Sequence, residues 1–238
     1  MSDELDCPVP WGLAQILVVL GITVAGWAAV YAFAHLSLVP LVRAHPIDLT
    51  LILTAVVYAI LYGAIALVIP RAAGWRALGY RFPGWRSLLS VLSWLPAWYA
   101  ALAIIAVGAA YLINHGQPIP TNATELFGPA GAKSVGPVEI GLAFVVVAGI
   151  APLVEETFFR GVLYQWLRGH LGVVPGVALS ALIFAGAHVL PLLLPVLFAM
   201  GCMLAAAFQR QRSIFASMLL HGTNNAIAIL AVLTQLHR

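Results

Sequence analysis

Five ionisable side chains stand inside apolar stretches of this chain: Glu155, Glu156, Arg160, His188 and His221. A charge at the centre of a bilayer costs about 2.5–3.5 kcal/mol even on a lenient insertion scale, so each of them needs a partner or a task. Two adjacent Glu and one Arg leave a net negative charge if all three ionise, and an incompletely neutralised carboxylate is a candidate general base. Helix geometry separates the two acids, since residues four apart share a face while neighbours differ by about 100° around the axis. Glu156 and Arg160 stand at i and i+4 in the favourable order, which reads as an internal ion pair that stiffens the helix. Glu155 then faces elsewhere and is the better base.

Glu155 and His188 are 33 residues apart, and their midpoint falls in the polar turn Arg168-Gly-His-Leu-Gly172. An antiparallel hairpin about that turn brings both side chains to one depth. His221 and Asn225 again stand at i and i+4, so an imidazole and a carboxamide project from one face. Residue counting from the inner loops leaves His188 and His221 about 10 Å apart in depth at ~1.5 Å per residue, a difference that tilt must absorb. Elimination narrows the reaction. The Asp residues are Asp3, Asp6 and Asp48, so no intramembrane aspartyl pair exists, and there is neither HExxH nor GxSxG. What remains is water activated by Glu155 and His188, with His221 and Asn225 stabilising the oxyanion of a tetrahedral intermediate.

These residues require helices within a membrane, and the composition supplies them. Of 238 residues, 63% are apolar and 8% charged, against about 25% charged in an average soluble domain. The chain is read as an all-α polytopic bundle, with spans near 11–37, 48–69, 87–113, 137–167, 173–190, 191–208 and 213–236. That gives seven, and the length allows seven or eight. The whole is one integral membrane domain, 1–238, with a three-helix part over 11–113 and a catalytic core over 137–238. Arg71, Arg76, Arg81, Arg86, Arg168, Arg210 and Arg212 fall on one side and Arg43, Lys133 and Arg238 on the other, which places the N-terminus in the cytoplasm. The first span follows an acidic tail with Asp3, Glu4 and Asp6, where a cleavable signal would be basic.

Arg71 to Arg86 interleaves arginines with Trp75, Tyr80 and Trp85, which suits a segment lying along the inner headgroups as an anchor. The net charge of +3 gives no sign of a nucleic-acid partner, and Cys7 and Cys202 form neither a CxxC motif nor a disulfide framework. The loop 114–136 carries an Asn122-Ala-Thr124 triplet of a kind that arises by chance. His188-Val-Leu-Pro191-Leu-Leu-Leu-Pro195 joins two helices without a polar residue after the His, so it is either cavity-lining backbone at membrane depth or a tight turn covered by the 114–136 loop. Phe184 is given a packing role only. His35, His45, His115, His170 and His237 sit at helix ends or in loops and receive none.

Glu155-Glu156-Thr-Phe-Phe-Arg160-Gly161 resembles the EExxxR motif of the CAAX protease and bacteriocin-processing (CPBP, or Abi) membrane proteins. Phe184-Ala-Gly-Ala-His188 resembles their FxxxH, and His221-Gly-Thr-Asn-Asn225 their HxxxN. The resemblance implies a glutamate-type intramembrane endopeptidase in which the first Glu and the FxxxH His activate water and the last His and Asn form the oxyanion hole. It implies no cofactor. Its members include prenyl-CaaX proteases, bacteriocin maturation and immunity proteins, and proteases that process C-terminal sorting signals, so the expected partners are a membrane protein or peptide and the lipid bilayer. Two other readings compete. Glu155, His188 and His221 also satisfy the three-ligand count of a catalytic zinc. A non-enzymatic immunity or scaffold protein would keep the polar cluster as a relic or as a partner-helix site. Composition rich in Ala, Leu, Val and Gly fits a bacterial inner membrane, and nothing in the sequence sets an oligomeric state.

Overall fold

The computed structural model describes residues 9–69, 74–117 and 135–236, apart from the side chains at 42, 43, 235 and 236. Asp3, Glu4, Asp6, Cys7, Arg71, the Asn122–Thr124 triplet, Lys133, His237 and Arg238 lie outside these residues, as does the Arg43 side chain. Within them the chain is helical: α1 Leu13–Ser37, α2 Val39–Ala44, α3 Pro46–Val68, α4 Gly74–Ala77, α5 Trp85–Ile113, α6 Pro137–Leu171, α7 Val173–Ala187, α8 Pro191–Gln211 and α9 Ile214–Leu236. Proline opens α3, α6 and α8, where its missing N–H falls among groups that lack an intrahelical partner anyway.

Six of these helices, α1, α3, α5, α6, α8 and α9, are long and apolar enough to cross a bilayer. Their outward faces carry bare hydrocarbon: Leu36 and Leu112 are each 86% exposed and Ile104 75%. Such surface requires lipid, and the protein is an integral membrane protein. The seventh expected span is shorter than the hydropathy suggested. α7 has 15 residues, about 22 Å at ~1.5 Å per residue, and stops at Ala187 where the apolar run continues to 190. The cause is backbone handedness. Val189 takes φ +54, a left-handed conformation that is rare for a β-branched residue and that cannot continue a right-handed helix. The chain then continues through a single 3-10 turn, Pro191–Leu193, so the apolar connection is short, while most of the 114–136 loop expected to cover it lies outside the described residues.

The chain divides into two compact units. Of the described residues, one holds 9–10, 74–117 and 159–221, the other 11–69, 135–158 and 222–236. In the second unit, α1 packs on α3, and α3 on the first part of α6. Ile47 and Leu51 of α3 meet Ala143 and Val146 of α6 and Ile229 and Val232 of α9 in one core.

In the first unit, Leu88, Val91 and Trp98 of α5 pack with Met200, Leu204 and Ala207 of α8 and with Ala216 and Leu220 of α9. α7 and α8 approach so closely that a Cβ on Gly201 would stand 2.8 Å from Ala181 Cα, the small-residue contact by which membrane helices gain packing. Between α6 and α7 the expected five-residue polar turn contracts to one residue. Helix α6 runs on through Leu171, and Gly172 alone reverses the chain at φ +86, a value open to glycine. The arginine and tryptophan segment forms α4 and a non-helical stretch to Gly84, with Trp75, Phe82 and Trp85 exposed. It is tied to the α8–α9 turn, because the Ile214 N–H donates to the Gly79 carbonyl at 2.8 Å and Ser213 Oγ to the Arg81 carbonyl at 2.6 Å.

Candidate active site

The motif acids sit in the most irregular helix of the fold. Within α6, residues Phe144–Ile150 and Thr157–Tyr164 are wound as π-helix on either side of the α-helical turn Ala151–Glu156. Such widening is rare in helices and frequent at functional sites. Its local cause here is Pro152. The Ala151 N–H reaches back five residues to the Val146 carbonyl, and in that register the Val147 carbonyl falls to Pro152, which has no N–H to give.

The second unit resolves this within itself. Nδ2 of Asn225, on α9, donates to the Val147 carbonyl at 2.9 Å. Gly222, one turn earlier on α9, lies against the neighbouring carbonyl, so that a Cβ there would stand 2.6 Å from the Ala148 oxygen. A buried carbonyl left unpaired would cost about 1–3 kcal/mol. The amide of Asn225 removes that cost, and the bond fixes which end of the carboxamide is nitrogen. One N–H of the same nitrogen is left to donate elsewhere. In the same unit Glu155 is 9% exposed and Glu156 fully buried. The Tyr58 hydroxyl, on α3, donates to Oε1 of Glu155.

The first unit holds Arg160, His188 and His221, gathered around one ring. The Arg160 guanidinium is fully buried, donates through Nη2 to the Gly201 carbonyl at 3.1 Å, and stands 4.6 Å from the centre of the Phe184 ring. The Phe184 ring lies 4.8 Å from the His188 imidazole and 5.9 Å from that of His221. Phe159 closes the other edge at 5.1 Å. The two imidazoles therefore border the same ring.

His188 also has a defined tautomer. Its Nδ1 is 2.8 Å from the Phe184 carbonyl, one turn back in the chain. A carbonyl only accepts, so Nδ1 carries the hydrogen and Nε2 of the neutral ring presents a lone pair.

Three features of this region went beyond the sequence reading. Phe184 packs as expected, and its spacing of four from His188 puts ring and imidazole on one helical face. Pro152, three positions before Glu155, was itself a sign of an interrupted helix. Tyr58 left no signal, because a lone tyrosine in an apolar helix has no pattern. Among the described residues, no three His, Cys, Asp or Glu side chains gather as a metal-ligand set.

Residues 137–227 match the family model described as type II CAAX prenyl endopeptidase Rce1-like. That stretch, 91 of the 238 residues, is what the chain shares with the family. The match begins at the first residue of α6 and ends in α9, so it takes in Pro152, Glu155, Glu156, Arg160, Phe184, His188, His221 and Asn225 and leaves out Tyr58. The Rce1-like proteins are a family of type II CAAX intramembrane proteases, which are peptide hydrolases. No curated protein and no solved structure matches the chain.

Proposed function

We propose that the protein hydrolyses a peptide bond of a membrane-associated protein or peptide by glutamate-activated water, in a bacterial inner membrane, with no metal or other cofactor. The CaaX-type, bacteriocin-type and sorting-signal substrates of the family are the classes to which its substrate belongs. Glu155 takes a proton from water held with His188, and the resulting hydroxide attacks the scissile carbonyl carbon. His221 and Asn225 donate to the oxyanion of the tetrahedral intermediate, an interaction worth roughly 2.7–4 kcal/mol per donor in a dry site. As the intermediate collapses, the carbon–nitrogen bond breaks and the proton on Glu155 passes to the leaving amine. Glu156 and Arg160 act as a buried ion pair that holds this part of α6.

The observation that carries the reading is the His188 tautomer. A base partner that helps to hold a nucleophilic water needs an imidazole nitrogen with a free lone pair, and the bond from Nδ1 to the Phe184 carbonyl supplies one at Nε2. The test is comparative proteomics of membrane fractions from cells carrying wild-type protein or Glu155→Gln, which removes the base and keeps the shape. One precursor is expected to accumulate uncleaved in the variant. Identical membrane proteomes, with both proteins inserted at equal levels, would support an immunity or scaffold protein instead.

A further inference from the structure

We infer that Tyr58, on α3 and outside the family match, is a positioning residue for the reaction. It orients Glu155 by donating its phenolic hydrogen to one carboxylate oxygen, so that the other oxygen takes the proton of water. The inference rests on the assignment of Glu155 as base and adds a residue from the half of the chain that carries no motif.

Three observations support it. First, the Tyr58 hydroxyl donates directly to Oε1 of Glu155, and a hydrogen bond to an ionised acceptor is about twice as strong as a neutral one. Second, the packing that delivers the hydroxyl is part of the unit's core. Ile47 and Leu51 face Ala143 and Val146, and Tyr58 continues the same stripe of α3 two turns beyond Leu51. Glu155 likewise lies further along α6 than Val146, so α3 and α6 run in the same direction and their register brings hydroxyl and carboxylate together. Third, the chemistry suits the task. A phenol at neutral pH donates without carrying charge, so it fixes the rotamer of the carboxylate without neutralising it as a Lys or Arg would. A phenylalanine would fill the same space, so the hydroxyl is the part that needs explaining in a helix of mean hydropathy 2.5.

The experiment uses the full-length protein in lipid and, as substrate, the precursor that accumulates when Glu155 is replaced by Gln. Tyr58→Phe is expected to lower kcat by about 10- to 100-fold, the range for losing one hydrogen bond to a charged group, with KM and unfolding temperature unchanged. Para-aminophenylalanine introduced at position 58 restores an N–H donor on the same ring and is expected to recover most of that loss, which a purely steric role would not predict. Full activity in Tyr58→Phe, or no recovery with the amino ring in a folded protein, would overturn the inference while leaving Glu155 as base. Normal cleavage by Glu155→Gln would instead sink the underlying mechanism, whatever Tyr58 does.

Discussion

His188 Nδ1 and the Phe184 carbonyl oxygen stand 2.8 Å apart across the last turn of α7. This bond sets the neutral imidazole as the Nδ1–H tautomer, which leaves a lone pair on Nε2. Nitrogen NMR on histidine-labelled protein is expected to find His188 with Nδ1 protonated and Nε2 bare at neutral pH. The opposite tautomer would leave the ring unable to accept from water as assigned. His188→Ala is expected to lower kcat by roughly 10²–10⁴, the usual range for a positioned acid–base group.

Arg160 combines a carbonyl hydrogen bond to Gly201 with a face-on contact to Phe184 inside a fully buried environment. Arg160→Ala should lower thermal stability in detergent together with activity, by about 3–5 kcal/mol if its ion pair with Glu156 is broken. Arg160→Lys should recover little, because an ammonium lacks the planar face and the fork of donors. Melting unchanged in either variant, with activity lost, would move Arg160 from the scaffold into the reaction.

For Asn225 the expectation is a loss confined to the transition state. Asn225→Ala should reduce kcat by roughly 10²–10³ with little change in KM, since the donor acts on charge absent from the ground state. Asn225→Asp should be as poor or worse. Strong chelators should leave wild-type activity intact. Activity that disappears on chelation and returns with stoichiometric zinc would make His221 a ligand beside Glu155 and His188, with Asn225 orienting it.

Pro152 should show stability and activity moving in opposite directions. A proline inside a helix costs about 3 kcal/mol, and Pro152→Ala would supply the Val147 carbonyl with a backbone N–H in place of the Asn225 amide. The variant is expected to melt at or above the wild-type temperature while kcat falls and KM holds. A variant that melts lower and keeps its kcat would separate Pro152 from the placement of Asn225.

The helices were legible because hydropathy and length decide them, and the expected spans over 48–69, 87–113 and 213–236 differ from the observed α3, α5 and α9 by at most two residues at either end. The three motifs were legible because i,i+4 spacing is a local property. What hydropathy cannot register is the handedness of a single residue, and Val189 ended α7 for that reason. Nor does composition distinguish a π turn from an α turn, although Pro152 was visible. The contact of Arg160 with Phe184 and that of Tyr58 with Glu155 span 24 and 97 positions of sequence. Such pairings exist only once helices are packed.

Helix α6 is 35 residues long, where about 20 suffice to cross the hydrocarbon layer. Glu155 lies one position past its midpoint, so in a helix centred on the layer the acid sits near the middle of the bilayer at any tilt. In the proposed reaction a substrate cleaved there would have to surrender its own helical hydrogen bonds away from bulk water, at several kcal/mol for each group left without a partner. Selection among substrates would then follow ease of unwinding. Segments weakened by glycine or proline beside the scissile bond would be cut, and uninterrupted leucine-rich helices would pass untouched.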